Sequence, residues 1–187
     1  MTRSRAQHHG ACSDCRNYPF SPLQAISEIQ FPSFRRVNTG YHAPMFNPSR
    51  DQARQFLFDT WRKYRAGEML SGLERIALQV ILLHPEYHAL LDDPERNLDR
   101  DYAPEHGAMN PFLHLSLHLA IEEQLSIDQP PGIRAAFEQL RAKTGAEHDA
   151  KHALLECLAE IIWQAQRANT APDQALYLEC LEQKLKA

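Results

Sequence analysis

The amino-acid sequence predicts an all-α protein, a helical bundle of about five to six helices behind a disordered N-terminal tail. Three observations lead there. Beyond residue 45 the apolar side chains recur at helical spacing, and no Val/Ile/Thr-rich alternating stretch argues for a strand. Helix-start and helix-stop signals bracket most of these runs. The 187 residues, 43% hydrophobic and 24% charged, suffice for one buried core, hence for one domain with a tail.

Residues 1–44 carry Pro19, Pro22, Pro32 and Pro44, few aliphatic side chains and no sustained helical period. Such a segment cannot offset its ordering entropy and reads as disordered. Its five Arg against one Asp and one Glu give +3, so with a whole-chain charge of −4 the remainder carries −7. Met45-Phe46-Asn47-Pro48-Ser49 then opens a helix signal. The natural start is therefore expected at Met45, with residues 1–44 an over-extended reading frame and residues 45–187 a single helical domain. Cys12-Ser13-Asp14-Cys15 has the spacing of half a zinc site but lacks the four ligands of a structural one, and is read as unmetallated.

The first helix is expected from Ser49, with Gln52 completing a capping box, to Ala66-Gly67, with Phe56, Leu57, Thr60, Trp61 and Tyr64 facing inward. The second starts at Ser71, capped with Glu74, and runs to His84, where Pro85 forces a bend. Asp92 to Gly107, rich in Asp, Glu, Arg and Pro, reads as a long surface loop. Asn110-Pro111, a cap followed by proline at the first helical position, opens a third helix to about Ser126, which Gln129-Pro130-Pro131-Gly132 stops. Asp128 and Arg134 beside that connector are expected to shape the turn rather than bind a ligand. The fourth helix spans about Ile133 to Lys143, the fifth Ala146 to about Arg167, and the sixth follows Pro172. Cys157 and Cys180 read as small buried hydrophobes, with no disulfide between them.

The longest uninterrupted apolar run, Val80-Ile81-Leu82-Leu83, falls far short of the roughly 20 residues of a membrane span, and no signal-peptide stretch follows Met1. A net charge of −4 and a sequence pI near 6.2 give no general attraction to nucleic acid or anionic lipid. A cytoplasmic protein without nucleic-acid or membrane partners is expected, its small-molecule or protein partner and its oligomeric state left open.

Ten histidines are the compositional excess. Seven of them follow residue 45, and six of these form three pairs at spacing i, i+4: His84 and His88, His114 and His118, His148 and His152. Random placement of seven in that length gives fewer than one such pair. Side chains four apart lie on one helix face, so two imidazoles can converge on one ion. At about 100° per residue, His114, His118 and Glu122 fall inside the apolar arc of Leu115, Leu117, Leu119, Ile121 and Leu125, with Ser116, Ala120 and Glu123 opposite. His84 falls within the arc of Leu73, Ile76, Ala77, Val80 and Ile81. His88 lies past the Pro85 bend, where the spacing rule lapses. His152 and Glu156 sit on the flank of the fifth helix's apolar arc, and His148 in its fraying first turn. The candidate metal ligands are therefore His84, His88, His114, His118, Glu122, His148, His152 and Glu156. A single inward histidine is more often a hydrogen-bonded core residue, but several in one core are costly unless they share an ion or an extensive polar network.

Inward His-x-x-x-His and His-x-x-x-Glu stripes on bundle helices resemble, in site logic, the hemerythrin-like and DinB-like metal-binding bundles. The paired Glu-x-x-His motifs of ferritin-like di-iron proteins are missing here. More specifically, Met45-Phe46-Asn47-Pro48-Ser49-Arg50, His84-Pro85-Glu86-Tyr87-His88, Asn110-Pro111-Phe112-Leu113-His114-Leu115-Ser116-Leu117-His118 and the run from Glu122 to Arg134 resemble an uncharacterised family of short bacterial helical proteins termed a domain of unknown function. That resemblance covers Met45 to the C-terminus, implies a start at Met45 and implies no activity.

Two functions remain. One is a metal-binding bundle with a His/Glu site between helices, holding a divalent transition metal, zinc or iron, given imidazole and carboxylate without thiolate; whether it is an enzyme is left undecided. The other is a non-enzymatic protein-protein interaction module with a buried histidine network.

Overall fold

A computed structural model describes residues 50–102 and 110–187. Its helices are α1 (Arg50–Arg65), α2 (Gly72–Leu82), a 3-10 turn (Pro85–Tyr87), α3 (His88–Leu91), α4 (Pro94–Asn97), α5 (Pro111–Ile127), α6 (Ile133–Thr144), α7 (Glu147–Ala168) and α8 (Gln174–Lys186), with no strand among the described residues. The fold is all-α, as expected. The tail, its Cys12 and Cys15, the cap residue Ser49 and His106 lie outside the described residues.

The local signals hold where they can be compared. Gly67 adopts φ 69° just beyond α1, a conformation glycine takes without steric penalty. Ser71 Oγ accepts from Glu74 N while Glu74 Oε2 accepts from Ser71 N at 2.7 Å, the reciprocal capping box. Asn110 caps α5 and Pro111 takes its first position. At the α5–α6 corner, Asp128 accepts from Gly132 N and Arg134 N, and the Arg134 guanidinium donates back to Leu125 O and Ser126 O. Each side chain satisfies orphan groups at the other's helix end, the turn-shaping role expected of the pair.

Two apolar clusters share α5. Leu57, Phe58 and Trp61 of α1 and Ala77, Val80 and Ile81 of α2 pack with Phe112 and Leu115. Leu117 and Ile121 pack instead with Ile133 and Leu140 of α6, Leu154, Leu155 and Ile161 of α7, and Tyr177 and Leu181 of α8. Burying each such side chain contributes about 1.5–3 kcal/mol, which tertiary packing rather than propensity supplies to these helices.

Four expectations change. Arg54 is buried on α1 and donates through Nη1 to Leu98 O at 2.6 Å and Arg100 O at 3.0 Å, whereas Tyr64 is exposed. Residues 92–102 are consequently not a free loop: α4 forms within them, Asn97 is buried, and Trp61 Nε1 donates to Asp92 Oδ1 at 2.8 Å. On α2, Leu73 and Ile76 face outward, since α2 is covered on the narrower strip of Ala77, Val80 and Ile81. Cys157 and Cys180 are joined by a disulfide between α7 and α8, with Cα atoms 5.8 Å apart. No helix among the described residues is long and apolar enough to cross a membrane.

Candidate metal centre

Three segments deliver imidazoles to one point. On α5, His114 and His118 lie one turn apart on a buried face, and His118 is 1% exposed. His84 follows the end of α2: Pro85 ends the helix, His84 takes φ −121° and ψ 66°, and its ring is 2% exposed. From the first two turns of α7 come His148 and His152, both partly exposed. The His84 ring centroid lies 4.6 Å from His114, 4.7 Å from His118, 4.8 Å from His148 and 5.7 Å from His152. One ligating nitrogen from each of His84, His114, His118 and His152 falls within 4.8 Å of the others.

Most of these nitrogens are unpartnered. Glu86 Oε1 lies 3.0 Å from His84 Nδ1, and an ionised carboxylate only accepts, so the proton sits on Nδ1 and Nε2 is left as a donor of electrons. His84 Nε2, His118 Nε2, His148 Nδ1 and His152 Nε2 are buried with no hydrogen-bond partner. Burial first, and then the mutual repulsion of the rings, holds the pKa of His118 down to about 2, of His114 to about 3 and of His152 to about 4. His148 is lowered for the same reasons. Near neutral pH these four rings are uncharged, the protonation state in which imidazole ligates a metal.

Of the eight candidates, the structure brings together His84, His114, His118, His148 and His152. His88 turns away: its Nε2 lies 2.9 Å from Ile81 O and its ring packs 4.5 Å from Trp61, because the 3-10 turn rotates the chain after Pro85. Glu122 continues the α5 stripe but pairs with Lys151 Nζ at 2.6 Å, which Glu147 also approaches at 2.7 Å. Burial opposes the charge of Lys151, yet its bonds to Glu122 and Glu147 outweigh this and raise its pKa. Glu156 pairs with Lys184 of α8 at 2.5 Å. The expected His/Glu set is thus a histidine set with its carboxylates engaged elsewhere. Sequence reasoning missed Glu86, whose signal was its place two residues beyond His84 across a proline, and Lys151, whose signal was its spacing of four from Glu147.

Three buried imidazoles and one half-buried imidazole, with a ring nitrogen of each within 4.8 Å of the others, are a set of side chains able to hold a metal ion. Carboxylate-oriented His84 is the arrangement that commonly fixes a ligating histidine. Neither a curated protein nor a solved structure gives a significant match to this chain. A family model described as "Domain of unknown function (DUF1841)" matches residues 49–183, and the chain belongs to that family.

Proposed function

We propose that this chain is a metalloprotein whose folded unit, residues 45–187, holds a divalent transition metal, zinc or iron, between α2, α5 and α7. His84, His114, His118 and His152 are the ligands and His148 lies beside them. One observation carries the reading: four buried imidazole nitrogens within 4.8 Å of one another. An all-imidazole set suits zinc and iron among the common first-row ions. Nitrogens within 4.8 Å of one another reach a single ion at about 2.1 Å each after shifts of rotamer size. The competing explanation, a polar network serving an interaction module, requires bonds among the rings. His84 Nε2, His118 Nε2 and His152 Nε2 have none.

The test is elemental analysis of full-length protein purified without a His tag, with melting temperature read before and after chelation. About one equivalent of metal, and a fall in melting temperature on its removal, is expected because an ion bound only to the folded state stabilises by mass action. Metal below about a tenth of an equivalent, with no shift on added Zn²⁺ or Fe²⁺, would leave the histidine network of an interaction module.

A further inference from the structure

We infer that the centre takes a small monovalent anion as its non-protein ligand, because the converging side chains supply lone pairs but no negative charge. This rests on the metalloprotein reading and adds the ligand class. Every donor that reaches the cluster is an imidazole, which ligates a metal in its neutral form. The carboxylates around it are committed: Glu86 to His84 Nδ1, Glu122 and Glu147 to Lys151, Glu156 to Lys184. Asp149, exposed on the first turn of α7, is not among the converging groups. Glu122, Glu147 and Lys151 together carry one negative charge, and that triad is held by its own short bonds.

A dication bound to this set keeps its full double charge beside rings that are 1% and 2% exposed. Burying uncompensated charge is costly, and the cost falls when an opposite charge is placed in direct contact. Glu86 offers such a charge only through the His84 ring. An anion on the ion itself removes the remainder.

Room and access point the same way. The donors are spread over as much as 4.8 Å, wider than the about 3.4 Å edge of a closed tetrahedral shell, an arrangement that leaves space for one more ligand. His84, His114 and His118 are buried, while His148 and His152 are partly exposed, so the side toward α7 is the open one. With an ion bound, the anion would take the place of a coordinating water, and no bond of the protein would be made or broken.

The experiment uses the full-length chain, stripped and reloaded with Co²⁺ for absorption spectra and with Zn²⁺ for melting curves. Sodium azide is titrated at fixed pH and ionic strength, with sodium perchlorate as the weakly coordinating control. The expected result is a saturable change in the Co²⁺ bands at one azide per metal, absent with perchlorate. By linkage, azide at about ten times its dissociation constant then tightens apparent metal binding about eleven-fold, seen also as a higher melting temperature of the Zn²⁺ form. Metal binding with spectra and affinity indifferent to azide overturns the anion and leaves the metalloprotein reading intact. Failure of both metals to bind overturns both.

Discussion

Acid should unfold the metal-free protein well above the pH at which carboxylates titrate. His118 and His114, held near 2 and 3 in the fold by burial, return to an ordinary 6.5 when the chain unfolds. The unfolded state therefore takes up protons first, so the stability of the neutral rings is intact above pH 6.5 and is lost as pH falls below it toward the folded values. One pH unit below the unfolded value each ring favours unfolding by about 1.4 kcal/mol, and the two together by about 3 kcal/mol, against a typical domain stability of roughly 5–15 kcal/mol. His152 and His148 act in the same direction, moderated by Glu86 and Asp149 beside them. Glu74 and Glu147 have lowered folded pKa values, so their contributions are lost only below the carboxylate value of 4.5 and do not confound the window. Denaturant unfolding of chelator-treated protein at about pH 7.5 and about pH 5.5 measures the difference. Equal stability at the two values, within about 0.5 kcal/mol, would refute the picture of dry, neutral imidazoles.

Other expectations follow from single contacts. His118→Ala should lose most of the stabilisation that metal gives, about 2.7 kcal/mol at a hundredfold excess over the dissociation constant, whereas Glu156→Gln, whose carboxylate pairs with Lys184 instead of joining the converging rings, should keep it; chelator-difference melting curves compare the two. Glu86→Gln should weaken metal binding by roughly 10-fold in a competition titration while leaving the circular dichroism spectrum unchanged, because it frees the His84 ring to change tautomer without removing a ligand. Cys157→Ala with Cys180→Ala should cost about 3 kcal/mol in denaturant unfolding under non-reducing conditions, the loop-closure value for a separation of 23 residues.

Much of the site was legible because its parts are local. Two imidazoles four apart share a helix face wherever the helix packs, so His114 with His118 and His148 with His152 were paired before any tertiary contact was known. Their inward direction followed from the apolar arc for α5. The arc was less informative for α2, where Leu73 and Ile76 share His84's side of the helix but stand outside the packed strip. First-turn fraying argued against His148, yet α7 begins at Glu147 and carries that ring into contact with His118 and His152.

By itself the sequence determined the helical class, the caps at Ser71 and Asn110, the stop at Pro85 and the histidine stripes, all set by steric and hydrogen-bonding rules acting within a few residues. Only the tertiary structure decided which partner each polar group meets. Glu122 shares the stripe of His118 but bonds to Lys151 because α7 sets that ammonium beside it. His88 leaves the cluster because Ile81 O and Trp61 receive it. Arg54 holds residues 98–100 against α1, and Cys157 finds Cys180 because the packing of α7 on α8 brings their Cα atoms to 5.8 Å. Helical periodicity specifies a direction from one axis. A site is the intersection of directions from several axes, and only packing fixes where those axes lie.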